Sequence, residues 1–213
     1  QVVGDTDLTA DAGKTSASRQ TFVSGKAAQL AGEDLRRKIL RHANAGPDSE
    51  IELAGSIVTV RDGGEQHQID LSALPAGDDG AVLEGMGTFD PPTVPLDENG
   101  QGSPYATYGF AGQIAIVEVD IELGTTKVLK ITAAHDVGRA INPIQVEGQV
   151  QGGIAQGLGL ALMEEYVPGR SDNLHDYLIP TIGDMPEIEV LVVEEEEPLG
   201  PYGAKGVGEP GLI

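Results

Sequence analysis

The sequence predicts an α+β fold of mixed sheets with packed helices, on three observations. Two long stretches place apolar residues at helical spacing, several short alternating or continuous apolar runs read as strands, and no internal repeat orders them. The chain has 213 residues, 39% of them hydrophobic, which is enough to bury a core in one large domain or two small ones. Its 30 glycines and 13 prolines point to many turns and close backbone approaches rather than to a helical bundle.

Taken in order, residues 1 to 21 are rich in Gly, Ser, Thr and Asp and feed the N-terminus of a first helix, in which Ala28, Ala31, Leu35 and Ile39 recur at helical spacing. Arg36, Arg37, Lys38 and Arg41 fall in its last turns, where cations suit the negative end of the helix dipole. "IELAGSIVTVRDGGEQHQIDL" reads as short strands around a turn at Asp62, Gly63 and Gly64. Residues 72 to 109, dense in Gly, Pro, Asp and Ser, form a long irregular connection, either a functional loop or a linker. Val117, Val119 and Ile121 alternate with Glu118, Asp120 and Glu122, the pattern of a half-buried strand, and "LGTT" turns it into a second strand from Lys127 to Ala133.

A second helix is announced by Asn142 as N-cap and Pro143 at the first helical position. Val146, Val150, Ile154, Leu158 and Ala161 make its apolar face, while Gln145, Gln149, Gly152 and Gln156 line another. Glycines at 148, 152, 153, 157 and 159 would each cost about 0.8–1.0 kcal/mol relative to alanine. Such a load fits either tight helix packing or a face against which a large ligand lies, with the glutamines offering donors and acceptors. "EIEVLVV" then reads as a last strand before the tail "EEEEPLGPYGAKGVGEPG".

Charge and composition exclude several functions. With 34 acidic and 13 basic residues the formal net charge is -21, which repels nucleic acid and anionic membranes and suits solubility in high salt. No cysteine means no disulfide, no cysteine-ligated zinc and no iron-sulfur cluster held by this chain. No apolar run of about 18 residues and no signal-peptide pattern is present, so neither a membrane span nor export is expected and the expected location is cytoplasmic. The start at Gln1 and the finish on "EPGLI" give both ends the look of cuts.

Among candidate chemistries, "ADAGKTS" matches only the end of a phosphate loop, since Leu8 stands where the motif needs its first glycine, and a Walker site is rejected. Thr15, Ser16, Ser18 and the amides around Ala17, at a helix start, still make a candidate anion site, with simple N-capping as the alternative. The four histidines, His42, His67, His135 and His175, show no zinc-protease spacing and no paired nucleophile. His135 reads as a satisfied structural residue and His42 as a helix-end cation. Glu194 to Glu197 read as a solvated strand end, because consecutive acids seldom converge on a metal. In "GAKGVGEPG" the glycines open conformations closed to other residues, and Pro210 biases Glu209 toward an extended backbone that projects its carboxylate. Delivered into a confined pocket, such a carboxylate is a general base; the alternative is an exposed acid on a surface turn.

Together, "GDTD...GKTSASRQT", "GQGSPYATYGFAGQIAIVEVD", "AAHDVGRAINPIQVEGQVQGGIAQGLGLALMEE", "HDYLIPT" and "GPYGAKGVGEPG" closely resemble, in this order, the C-terminal half of the molybdopterin-binding subunit of the xanthine dehydrogenase and aldehyde oxidase family. The resemblance covers nearly the whole chain, so residues 1–213 are expected to form a partial molybdopterin-binding domain. It implies that Glu209, at the "GVGE" position, is the base that takes a proton as a water-derived oxygen attacks an sp2 carbon beside a ring nitrogen, or an aldehyde carbon. It places Gly148, Gln149, Gly152 and Gly153 against the pyranopterin. Thr15, Ser16, Ala17, Ser18 and Arg19 fall at the cofactor's phosphate or nucleotide part. Lys205, Gly206, Val207 and Gly208 lie beside the base.

The implied cofactor is molybdopterin, bare or as its cytosine dinucleotide, whose own sulfurs hold the molybdenum, so no protein metal ligand is expected. Missing against the family are the N-terminal half of the molybdenum subunit and the continuation beyond "GEPG". The chain is thus expected to be a fragment or the smaller piece of a split subunit, as in nicotinate dehydrogenases, and inactive alone. Its implied partners are a chain carrying that N-terminal half, an iron-sulfur subunit and an FAD subunit, besides a small-molecule substrate. The alternative is a non-catalytic cofactor-binding or assembly subunit of such a complex.

Overall fold

A computed structural model describes residues 4–9, 11–78 and 80–213. Residues 1–3, Ala10 and Asp79 of the expected domain lie outside them. The chain forms two compact units, one from Gln1–Ser24 with Pro91–Ile213 and the other from Gly25–Asp90. The secondary structure is mixed, with two long helices and two three-stranded sheets among the described residues.

The first helix, α1, runs over Arg19–His42 and ends on Arg41 and His42, as the dipole argument expects. In the 25–90 unit, strands β1 (Glu50–Ala54), β2 (Ile57–Asp62) and β3 (Glu65–Asp70) form an antiparallel meander in the order β1-β2-β3. The turn expected at Gly63 and Gly64 joins β2 to β3, with both glycines at positive φ. Leu40, Ala43, Val58, Val60 and Ile69 close the core of this unit.

The long connection differs from its expectation as a free loop or linker. Part of it is a strap on α1: a Cβ on Gly85 would come within 2.2 Å of the Ala31 carbonyl oxygen, and one on Gly87 within 2.3 Å of the Ala31 nitrogen. Lys38 donates to the Glu84 carbonyl, and the Met86 amide donates to Asp34, so Lys38 of the cationic cluster is engaged in structure. Arg36 likewise donates to the carbonyls of Pro47 and Ser49.

In the other unit, β4 (Ala111–Asp120) pairs antiparallel with β5 (Thr125–Asp136), which pairs parallel with β6 (Glu187–Val193). The parallel pairing requires a crossover, and the second helix, α2 (Pro143–Leu162), lies within it. Asn142 caps α2 by accepting the Gln145 amide, with Pro143 at the helix start. Val150 and Ile154 pack with Ala133, flanked by Ile131, Ile188 and Val190. Leu158 is also buried, Val146 is half-buried and Ala161 is exposed, so the expected apolar face is covered through its middle only.

Strand β4 departs most from its reading. Val117 is 48% exposed and Val119 56%, and Ile121, expected in the strand, falls in the turn after it at 90%; β4 is an edge strand and the α2 core is centred on β5 and β6. The alternation located the strand correctly, but those side chains are left largely uncovered by the described residues.

Candidate functional site

Two segments far apart in sequence meet at the N-terminus of α1. Ala17 (φ 52°) and Ser18 (φ 53°) both adopt left-handed backbone immediately before Arg19 opens the helix. Outside glycine this conformation costs roughly 1–2 kcal/mol per residue, so the turn must be fixed by its surroundings. The fixing comes from the tail. The Glu209 amide donates to Ser18 Oγ at 2.8 Å, and the Ala17 amide donates to Glu209 Oε1 at 2.8 Å. The anion expected at these amides is thus, at Ala17, the chain's own carboxylate.

Glycines make this approach feasible. A Cβ on Gly206 would lie 1.7 Å from the Ser18 carbonyl oxygen, which excludes every other residue there. At Gly208 a Cβ would sit 3.7 Å from both Ser18 Oγ and Gln149 Oε1, so this glycine lies between the α1 turn and α2. Glu209 itself is exposed in this chain rather than enclosed.

Lys205, expected beside a ligand, makes its contacts within the protein. It is buried, and its ammonium is hydrogen-bonded and ion-paired to Asp136 at the end of β5. Burial alone would raise the Asp136 pKa, but the hydrogen bond from Lys205, the Gly138 amide and the lysine charge together outweigh it and lower it. The Lys205 amide also donates to the Val137 carbonyl, so this residue roots the tail four positions before Glu209.

Alongside lies a cleft of about 620 Å³, lined by Thr15, Ser18, Gln20, Thr21, Gln145, Gly148, Gln149, Val207 and Gly208. Of the predicted residues, Thr15, Ser18, Gly148, Gln149, Val207 and Gly208 meet there. Gly148 and Gly152 both face open space, with nothing within 4 Å of an added Cβ, although Gly152 is not among the lining residues. The Gln145–Gln149 line of α2 reaches the cleft as its spacing implied. Gln20, Thr21 and, outside the cleft, Asp136 carried no local signal, since their roles depend on contacts made only in the folded chain.

Other predicted residues serve the fold. Gly153 is buried with its would-be Cβ 2.9 Å from Gly211, and a Cβ on Gly157 would come 2.4 Å from the Leu212 carbonyl oxygen, so the short turn Pro210–Leu212 fills the space they leave. Both glycines are packed closely against that turn, and neither is among the residues that line the cleft. Arg19 Nη1 donates to the carbonyls of Ala12 and Lys14, bracing the loop ahead of the helix. Thr15 Oγ1 accepts from Gln20, and the Ser16 carbonyl accepts the Arg19 amide.

His135 corrects its reading as a satisfied residue: it is buried, and Nε2 has no hydrogen-bond partner among the described residues. Burial lowers its pKa and keeps the ring neutral. The acidic run is also more than solvated surface. Glu194 accepts the Ala140 amide, and Glu197 accepts from Thr107 Oγ1 and the Leu199 amide. Another depression, of about 530 Å³, lies in the 25–90 unit near His42, His67 and Asp70, and none of the predicted site residues lines it. No group of three or more His, Asp or Glu placed to hold a metal occurs among the described residues. No helix among them is long and apolar enough to cross a membrane.

Comparison with known proteins joins this geometry to a family. The molybdopterin cofactor-binding domain family matches residues 1–186. The chain is 31% identical over 226 residues to the 6-hydroxypseudooxynicotine dehydrogenase complex subunit gamma of Paenarthrobacter nicotinovorans, covering 100% of this chain and 27% of that one. It is 31% identical over 223 residues to the xanthine dehydrogenase molybdenum-binding subunit of Escherichia coli O157:H7, covering 98% and 28%. Among solved structures, the aldehyde oxidoreductase of Desulfovibrio gigas superposes with a TM-score of 0.76 at 30% identity, over 97% of this chain and 21% of that one. The chain therefore spans about a quarter of the length of these relatives. With a cleft built from the segments that carried the resemblance, and homology to molybdenum-dependent oxidoreductases over nearly its whole length, the chain belongs to the molybdopterin cofactor-binding domain of the xanthine dehydrogenase and aldehyde oxidoreductase family.

Proposed function

We propose that the chain forms one wall of the pterin site of a molybdenum hydroxylase and supplies its catalytic base, Glu209. The observation that carries this reading is the convergence of Glu209 and the Ala17-Ser18 turn beside a cleft walled by Gly148, Gln149 and Gly208. The residues present fit a pterin. Gln145 and Gln149 offer side-chain donors and acceptors, Val207 and Gly208 line the cleft with them, and the open space above Gly148 leaves room for a flat ring. The hydroxyl of Thr15 lines the cleft where a phosphate or nucleotide part would lie, whereas Ser18 Oγ is taken up by the Glu209 amide and Arg19 by backbone carbonyls.

When bound, the cofactor supplies the oxygen-transfer and two-electron redox chemistry. This chain's own residues bind and orient it and place one carboxylate for proton transfer. The substrate class we assign is an N-heterocycle, oxidised at an sp2 carbon, or an aldehyde. The names of the relatives, a pseudooxynicotine dehydrogenase subunit, a xanthine dehydrogenase subunit and an aldehyde oxidoreductase, support that range. The rest of the molybdenum subunit and iron-sulfur and FAD partners complete the proposal. The fraction of the relatives that this chain spans supports the first of these, and a relative that is a complex subunit supports the second.

The test is Glu209→Gln in the assembled complex. Turnover is expected to fall by at least about 10²–10⁴-fold, the range of a lost general base, while molybdenum and pterin content stay at the wild-type level. Retained turnover would remove Glu209 from the reaction, and a complex without pterin would favour an assembly role.

A further inference from the structure

We infer that Ser18 is a positioning residue for Glu209, and that the neighbouring Ala17 amide decides which carboxylate oxygen is free to take a proton; the inference rests on Glu209 being the base. A glutamate on a glycine-rich tail has freedom in both backbone and side chain, which works against catalysis. Here two hydrogen bonds remove it. Ser18 Oγ accepts the Glu209 amide and fixes the backbone, and the Ala17 amide donates to Oε1 and fixes the side chain. Among the described residues no protein donor is recorded at Oε2. The contact of Gly206 with the Ser18 carbonyl, and the Lys205-Asp136 pair behind it, prevent the tail from sliding off the turn.

Proton transfer then has one address. The O–H bond that breaks leaves its electron pair on the oxygen that gives up the proton, and the new O–H bond forms at Oε2, so the carboxylate becomes a neutral acid. Left-handed backbone at both Ala17 and Ser18 is the geometry that turns the amide of one and the hydroxyl of the next toward the same glutamate. Strained backbone of this kind persists where the surroundings over-determine it, which fits a built clasp better than a chance contact.

The experiment compares Ser18→Ala and Ser18→Gly with wild type and Glu209→Gln in the assembled, cofactor-loaded complex. The glycine variant also lacks the hydroxyl but relaxes the left-handed backbone, so a folding defect in the alanine variant leaves the question open to measurement. Both serine variants should lose on the order of 10- to 100-fold in kcat with KM and molybdenum content unchanged. Hydrogen exchange should also quicken in the peptide containing Glu209, in cofactor-free protein as well. Unchanged kcat, a loss that tracks molybdenum content, or unchanged exchange would each overturn the inference. If Glu209→Gln retains turnover, the reading of the base fails; if it abolishes turnover while the serine variants match wild type, only the positioning role fails.

Discussion

At the scale of residues, the site rests on a few side chains with separate tasks. The Lys205-Asp136 pair is buried and hydrogen-bonded, so removing one partner leaves the other charge stranded. Asp136→Asn is expected to lower unfolding free energy by roughly 3 kcal/mol, read from denaturant titration. Because the folded pKa of Asp136 is lowered, its contribution is present above the unfolded value of about 3.9 and is lost as pH falls through the folded value. Wild type should therefore lose stability more steeply than Asp136→Asn below about pH 4, and parallel curves would contradict the assignment. In the 25–90 unit Asp34 is held down to about 2, first by the Lys38 hydrogen bond and then by the Met86 amide. The strap of residues 84–87 should accordingly loosen as pH falls from the usual carboxylate range toward 2, which exchange at Met86 would report.

At the scale of elements, the glycines of α2 separate two causes that look identical in sequence. Gly157 faces the Leu212 carbonyl oxygen at 2.4 Å from a would-be Cβ, whereas Gly148 faces open space at the cleft. Gly157→Ala should destabilise the chain by roughly 1–3 kcal/mol through overpacking, despite the better helix former. Gly148→Ala should instead stabilise the isolated chain by up to about 1 kcal/mol and yet lower the pterin content of the assembled enzyme. Thermal melts and pterin analysis read the two effects, and a Gly148→Ala enzyme with full pterin content would place the cofactor elsewhere. Periodicity and capping residues made the helices and strands legible: Asn142 and Pro143 mark the start of α2, and "EIEVLVV" is β6. Local pattern could not assign each glycine to ligand or packing, because Gly153 meets Gly211 and Gly148 meets nothing only once the tail has folded back. The same limit hid Asp136 as the partner of Lys205, 69 residues away. The two hydrogen bonds that hold Glu209 cross more than 190 residues, so the quoted motifs pointed to Glu209 but not to its clasp.

At the scale of the whole molecule, acidity and uncovered apolar surface pull in opposite directions. A net charge of -21 makes the folded chain repel itself, and salt screens that repulsion. The melting temperature should rise from low salt to roughly 1 M, where the Debye length shrinks to about 3 Å; a flat response would show that the charges are already compensated in the fold. The exposed apolar residues of β4, with Ile114 at 70% and Ile116 at 54%, and Phe110 just before it at 73%, make a surface that monomers seldom leave open. The remainder of the molybdenum subunit is the cover we assign to it, in keeping with a chain that spans about a quarter of its relatives' length. We propose the cleft beside Glu209 as the pterin site. A crystal structure of the assembled complex with its cofactor tests it most directly. The pterin is expected against Gly148, Gln149, Val207 and Gly208, with the Glu209 carboxylate facing the metal; a cofactor seated elsewhere, with this cleft filled by protein, would rule the cleft out as the pterin site.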